Sequence, residues 1–375
     1  MLIGIDASRA TRGRRTGTET YSLNLIRALL GLGAKHTFRL YSDVAPQAEL
    51  FWEGPRPEHV ELCVIPWPRL WTHLRLGAEV LRRTPDVLFV PAHVVPLIHP
   101  RRSVATVHDL GYLFYPEAHS SAQRRYLSWS TGWNARESAA VIADSAATKA
   151  DLVRSYDVDP ARVSVIYLGR NEAFAPVRDA AAVQAARDRY GIGSGPYLLC
   201  VGTLQPRKNL ARLVDAYARV AGAQGLAGVQ LVLAGKRGWL YDDLFLQVRR
   251  SGLEGRVLFP GYIDDLDLPA LYSGARGQVF VSLYEGFGLP VLEAQACGVP
   301  VMTSNNSSLP EVAGDAALLV DPQDVDAIAE AMRRLLTDDG LRQELIRRGF
   351  DNVKRFSWEK CARETLAVLE AVARE

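Results

Sequence analysis

Short runs rich in valine, isoleucine and leucine alternate along the chain with longer stretches whose apolar residues recur every three or four positions. The short runs have the length of buried strands and the long ones the period of amphipathic helices, so the pattern predicts parallel sheets covered by helices on both faces. In the first half the predicted strands are Leu2–Asp6, Thr37–Ser42, Val60–Ile65, Asp86–Val90, Val104–His108 and Val141–Asp144. Tyr21–Leu32 has helical spacing, and Ser145 is placed to cap a helix running to about Tyr156. The rhythm breaks around Gly169–Pro176, and Tyr190-Gly-Ile-Gly-Ser-Gly-Pro196 punctuates a loop. It then restarts with Tyr197–Gly202, Gln230–Ala234, Val257–Pro260, Gln278–Ser282, Val299–Thr303 and Ala317–Val320. The predicted organisation is therefore a first α/β domain over 1–170, a linker over 171–195, a second domain over 196–355 and a last helix over 356–375. Ser357 would cap that helix, on which Trp358, Cys361, Thr365, Leu369 and Val372 share a face. The stripe either completes the second domain or crosses back onto the first. Ligands of doubly wound sheets bind at the carboxyl ends of strands, so the two domains are expected to face a central cleft that holds the site.

Composition narrows the class of protein. A chain of 375 residues, 48% hydrophobic and 23% charged, suits two folded domains and not a disordered or fibrous chain. The net charge of +2 calls for no nucleic-acid partner, although the first 170 residues are mildly basic. Cys63, Cys200, Cys297 and Cys361 are far apart and form no C-x-x-C pair, so neither a disulfide framework nor a zinc site is expected, and a reducing cytoplasm fits best. No apolar run reaches the ~18 residues that span a bilayer, and the first residues have no basic leader, so neither a transmembrane helix nor a signal peptide is expected.

The densest chemical signal is Tyr284-Glu-Gly-Phe-Gly-Leu-Pro-Val-Leu-Glu-Ala-Gln-Ala-Cys-Gly-Val-Pro300, which follows a strand and opens a helix. Gly286 and Gly288 let a ligand approach the backbone closely, Pro290 suits the first helical turn, and the free amides there favour an anion such as a diphosphate. Glu285 lies before the helix and Glu293 is expected in its first turn, where both carboxylates can border that pocket and bind hydroxyls. A glutamate in a first turn also favours the helix dipole with no ligand at all. Arg207 and Lys208 follow a strand and a proline turn, where adjacent cations can reach a diphosphate or simply face solvent.

The full Tyr284–Pro300 string resembles the Glu-x7-Glu signature of the family-4 retaining glycosyltransferases, which have the GT-B fold of two Rossmann-like domains. Four further segments agree with it: Val201-Gly-Thr-Leu-Gln-Pro-Arg-Lys-Asn-Leu210, Leu233-Ala-Gly-Lys-Arg-Gly-Trp239, Ser308-Leu-Pro-Glu-Val-Ala-Gly314 and Leu319-Val-Asp-Pro322. The resemblance implies that Glu293 holds the ribose hydroxyls of a nucleotide-sugar, Glu285 the hydroxyls of its sugar, and that Phe287, Gly288 and Leu289 offer backbone amides. It also implies that Arg207 and Lys208, beside Gly202 and Thr203, replace a metal at the diphosphate. Many relatives carry Gly-Arg after this strand, whereas Thr203 follows Gly202 here, so Lys208 transfers more directly than Arg207. Gly17, in Thr16-Gly-Thr-Glu-Thr-Tyr21, matches the family's glycine-containing first loop at the donor phosphate or acceptor, with Thr16 where a second glycine is usual. The preceding Arg9, Arg12, Arg14 and Arg15 either attract an anionic acceptor or lipid surface, or remain solvated. In Thr106-Val-His-Asp-Leu110, His108 resembles the family's active-site histidine, with Asp109 as its neighbour.

The implied reaction is a metal-independent, retaining transfer of a hexose from a nucleoside diphosphate sugar to a sugar hydroxyl of a polysaccharide or lipid-linked glycan, with no cofactor. Mannose from GDP-mannose is favoured because Ala234-Gly-Lys-Arg-Gly-Trp239 and Ser307-Ser-Leu-Pro-Glu311 resemble mannosyl-transferring polysaccharide enzymes; a UDP-hexose is the other donor considered. The alternatives are a catalytically idle binding or regulatory subunit and an epimerase that consumes donor without acceptor. Asp157-Val-Asp159, Asp265-Leu-Asp267 and Asp324-Val-Asp326 spell a metal-binding triplet but do not follow apolar strands, and are read as turn or helix-end residues. Leu70–Arg83 is amphipathic and basic, which suits either an ordinary packed helix or one that rests on an anionic membrane. Trp129 and Trp133, one turn apart, admit the same two readings.

Overall fold

Apolar runs buried on both faces need helices above and below them, and short βα crossovers then hold neighbouring strands parallel. The computed structural model describes residues 1–375 except 14–16, 33–34, 48, 68, 223–225, 227, 237 and 239–241. Its strands are β1 (Leu2–Asp6), β2 (Thr37–Ser42), β3 (Val60–Val64), β4 (Val87–Val90), β5 (Ser103–Val107), β6 (Ala140–Ala143), β7 (Val163–Val165), β8 (Tyr197–Val201), β9 (Gln230–Ala234), β10 (Val257–Gly261), β11 (Gly277–Phe280), β12 (Val301–Ser304) and β13 (Ala317–Val320). They form two all-parallel sheets, ordered β3-β2-β1-β4-β5-β6-β7 and β10-β9-β8-β11-β12-β13. In both, strand order reverses beside the first strand of the sheet, between β1 and β4 and between β8 and β11. These reversals open the crevices in which doubly wound sheets bind ligands.

The chain divides into two compact units, Met1–Gly169 with Phe356–Glu375, and Arg170–Arg355. The stretch read as a linker over 171–195 holds a helix, Ala180–Arg189, that packs on Leu268–Ser273 within the second unit. Its run of small residues hid an ordinary docking face. The last helix, Trp358–Arg374, belongs to the first unit, where it packs on Gly17–Gly31 and on β4, β5 and β6. Ser357 caps it by accepting a hydrogen bond from the Lys360 amide, and Cys361, Thr365, Leu369 and Val372 are buried. Gly169 allows the crossing: a Cβ there would meet Trp358 Cα at 2.6 Å.

Other departures are local. β7 carries only three residues, too few for an apolar run to stand out. The helix predicted from Tyr21 starts earlier, at Gly17. Ser145 does cap Ala146–Tyr156, accepting from the Thr148 amide. No helix among the described residues is long and apolar enough to cross a membrane.

Candidate active site

In the second unit the loops after β8 and β11 meet at the strand-order reversal. Gly202 leaves β8 at φ +155°, a left-handed value that glycine tolerates, and Pro206–Lys208 forms a single 3₁₀ turn. Asn209, at φ 58°, ties this turn to its neighbours by donating from Nδ2 to the carbonyls of Val281 (3.1 Å) and Pro322 (2.6 Å). Two cations are thereby aimed at the β11 loop. Lys208 Nζ bonds Glu285 Oε1 at 2.6 Å and lies 4.7 Å from the centre of the Phe280 ring. Arg207 donates to the Tyr284 carbonyl at 2.9 Å and sits 3.8 Å from the other Glu285 oxygen. Burial alone would raise the Glu285 carboxyl, but the charges of Lys208 and Arg207 outweigh it and hold the group below its ordinary value.

The loop that carries Glu285 is pinned from β12. Ser307 Oγ accepts from the Glu285 amide at 3.1 Å, and Ser308 Oγ bonds the carbonyls of Glu285 (2.9 Å) and Phe287 (2.6 Å). Gly288, at φ +119°, then starts the helix Leu289–Ala296; a Cβ there would meet Leu309 Cδ2 at 2.8 Å. Glu293 is the fifth residue of this helix and so lies in its second turn, not the first, because the helix opens only at Leu289. The dipole explanation for this glutamate is therefore weak. Its Oε2 accepts from Tyr272 Oη at 3.1 Å, and burial raises the carboxyl to about 7, with Tyr272 opposing and Asp265 adding to the shift. Glu285 is thus a carboxylate already paired with cations, whereas Glu293 has no compensating cation among the described residues. Of the Ala234–Trp239 segment, Arg237 and Trp239 lie outside the described residues.

The first unit gathers polar groups at the ends of β1, β4, β5 and β6. His108 follows β5; its Nδ1 lies 2.7 Å from Asp144 Oδ2, and its Nε2 lies 3.0 Å from the Pro91 carbonyl. Both ring nitrogens face acceptors, which favours the imidazolium. Burial opposes the charge, but Asp144 prevails and the histidine is raised above its ordinary value. Tyr21 stands edge-on to the ring at 4.8 Å and bonds Thr106 through its hydroxyl at 3.1 Å. The last helix reaches this cluster through Trp358, whose ring lies 6.1 Å from that of Tyr21. Asp109 accepts from the Gly111 amide and serves the local turn.

Asp144 was missed by sequence reasoning as a partner of His108, since it reads as the last residue of an apolar strand. The available signal was a charged residue between Ala140-Val-Ile-Ala143 and a capping serine. Gly17 is exposed, and a Cβ there would touch nothing, so the protein's own packing does not require glycine at that position. Arg14, Arg15 and Thr16 lie outside the described residues. Arg9 is shared by Glu19 (3.5 Å) and His93 Nδ1 (3.3 Å), and Arg12 pairs with Asp43 at 2.6 Å. The three Asp-x-Asp triplets are structural: Asp159 and Asp324 cap helices, Asp157 ends one in the left-handed conformation, and Asp267 binds Arg189 and Tyr190.

Family models match both parts of the chain: "Glycosyltransferase Family 4" over residues 15–174 and "Glycosyl transferases group 1" over 183–351. The chain is 34% identical over 364 residues to O-antigen chain mannosyltransferase B of Escherichia coli, covering 94% of this chain and 95% of the relative. Among solved structures, sucrose-phosphate synthase from Thermosynechococcus elongatus superposes with a TM-score of 0.76 at 24% identity, covering 99% and 98% of the two chains. HepE of Anabaena, solved with UDP and glucose, gives 0.74 at 18% identity over 98% and 99%. The two structures share the GT-B fold of paired Rossmann-like domains. Relatedness over nearly the whole length, with a family model on each unit, makes this chain a glycosyltransferase of family 4, an enzyme that transfers a sugar.

Proposed function

We propose that this protein is a retaining, metal-independent mannosyltransferase that takes mannose from GDP-mannose and adds it to a sugar hydroxyl of a growing polysaccharide or lipid-linked glycan. The observation that carries the reading is the constellation of buried Glu285 with the half-buried Lys208 and Arg207 at the β8/β11 reversal. Two cations there offer a diphosphate the charge that a metal would otherwise supply, and a hydrogen-bonded carboxylate offers acceptors to sugar hydroxyls. Donor binding moves Lys208 and Arg207 from Glu285 to the diphosphate, where they stabilise charge on the leaving group. Gly202 and Thr203 border the phosphates, and Phe287, Gly288 and Leu289 supply amides at the helix start. Glu293 takes the ribose hydroxyls, Gly17 approaches the phosphate or acceptor, and His108 meets the transferred sugar. Mannose as the sugar is supported by the likeness to an O-antigen mannosyltransferase.

Calorimetric titration with GDP, UDP, ADP and dTDP in EDTA tests the donor site; saturable binding of GDP is expected. Preference for UDP would overturn the mannose reading, and a need for divalent metal would overturn metal independence. With GDP-mannose and a glycan acceptor, NMR of the product should show the donor's anomeric configuration kept, since inversion refutes a retaining mechanism. Consumption of donor without acceptor would indicate an epimerase. Lys208→Ala should lower turnover at subsaturating donor by about 100-fold or more, the usual cost of a lost charge-stabilising donor; near-normal turnover would remove Lys208 from the site.

A further inference from the structure

The first unit has a strand-order reversal of its own, and the loops on its two sides carry a group that donor binding leaves idle. His93 lies three residues beyond β4 and Arg9 three beyond β1, so the two meet over the crevice between those strands. His93 is exposed, although Ala92, Val94 and Val95 around it are buried. Its backbone has φ +79°, a left-handed value uncommon outside glycine and costly to a side chain. Buried Asn134, on the helix Ser121–Glu137, holds it there: Nδ2 donates to the His93 carbonyl at 2.6 Å, and Oδ1 accepts from the Val95 amide at 2.9 Å. An exposed ring adds nothing to the core, so the strain is not repaid by packing. Asn209 and Ser307, at φ 58° and 50°, have the same backbone in the loops of the second unit's site.

The neighbours of His93 decide which hydrogen it presents. Arg9 Nη2 lies 3.3 Å from His93 Nδ1, and Arg9 Nη1 lies 3.5 Å from Glu19 in the first turn of Gly17–Gly31. A guanidinium can only donate, so Nδ1 accepts and the hydrogen of the neutral ring sits on Nε2. Although the residue is exposed, protein atoms around the ring strip it of enough water to lower the imidazole to about 4, with Arg9 adding to the shift, Glu19 opposing it and His108 adding to it. The ring is therefore uncharged at neutral pH. Among the described residues nothing bonds Nε2, which leaves one N–H donor in the electrostatic neighbourhood of His108. A neutral donor suits a sugar hydroxyl or ring oxygen, whereas a diphosphate draws cations such as Lys208 and Arg207. We propose that His93 Nε2 donates a hydrogen bond to an oxygen of the acceptor sugar, with Arg9, steered by Glu19, as the positioning residue that fixes the ring. The assignment rests on the reading of the acceptor as a sugar and names a group that holds it.

Two measurements on the full chain test it. Proton–nitrogen NMR of isotope-labelled protein should show His93 neutral at neutral pH, with its hydrogen on Nε2. Arg9→Met should release the ring, so that the Nδ1–H form appears and titration moves toward the ordinary 6.5. A wild-type ring that carries its hydrogen on Nδ1, or that titrates near 6.5, would overturn the proposal. In kinetics with GDP-mannose and a mannose disaccharide as acceptor probe, His93→Ala should raise KM for the disaccharide by roughly 3–10-fold, the worth of one neutral hydrogen bond, with GDP affinity unchanged in calorimetry. His93→Gln, whose amide also donates, should recover part of the loss. His93→Gly relieves the left-handed backbone, so it should unfold no earlier than the wild type while showing the same KM defect. An unchanged acceptor KM, or a lower unfolding midpoint for the glycine variant, would make His93 a structural residue and overturn the proposal. The NMR spectrum needs neither donor nor acceptor, so it still decides on His93 if the mannose reading fails, and a wrong tautomer sinks His93 while GDP binding stands.

Discussion

The two glutamates of the Glu-x7-Glu string look equivalent in sequence, but their surroundings make them opposites. Glu285 is compensated by Lys208 and Arg207, whereas Glu293, bonded to Tyr272, has no cation beside it among the described residues and is raised to about 7 from an ordinary 4.5. Between those two pH values the folded protein binds more protons at Glu293 than the unfolded chain does, so this residue makes stability fall as pH rises from about 4.5 to 7. Glu293→Gln should therefore stabilise the protein at pH 8, by as much as ~2–3 kcal/mol, while weakening nucleotide binding; urea titrations at two pH values and calorimetry check both signs. The His108–Asp144 pair has the same sign for a different reason, a partner gained on folding and not a charge left uncompensated. His108 is raised above its ordinary value, so the stabilisation from the pair is complete below the unfolded value and is lost as pH rises through the folded one. Asp144→Asn should cost ~1.5–3 kcal/mol near pH 6 and less at alkaline pH, and it should shift the pH profile of turnover. An unchanged profile with a pH-independent loss of stability would leave Asp144 a packing residue only.

At the scale of elements, strands were legible and connections less so. A strand in a doubly wound sheet is an uninterrupted apolar run, and nearly every such run appears in the structure within a residue or two of its predicted ends. Only β7, three residues long, fell below what a pattern can reveal. Helix starts marked by Ser145 and Ser357 were equally plain, since each side-chain oxygen satisfies an amide three residues on. What faced the last helix was not legible: its stripe says that it packs, not on what. Gly169 supplies the missing geometry, because only a residue without a Cβ lets Trp358 pass so closely. Gly169→Ala should destabilise the first unit by ~1–3 kcal/mol, measurable as a lower midpoint in chemical unfolding.

For the molecule as a whole, the first unit joins Met1–Gly169 to Phe356–Glu375, so its packing includes a helix more than 180 residues further along the chain. Ending the chain at Arg355 should uncover the apolar face over β4, β5 and β6 and leave the first unit without fixed packing, seen as loss of near-UV circular dichroism from its tryptophans. The second unit should still bind nucleotide, so retained binding with a collapsed first unit is the expected pattern; an unchanged unfolding transition would refute it. By itself, the sequence determined the α/β class, the two-sheet rhythm, the family motifs and the residue types of the candidate site, because strand burial and ligand-facing loops leave local, periodic marks. Tertiary structure alone decided that Lys208 bonds Glu285, that Asp144 fixes His108, that burial beside Tyr272 raises Glu293 and that the last helix returns to the first unit. Each of these joins residues far apart in the chain, and their meeting depends on strand order and crossover geometry, which no local pattern records.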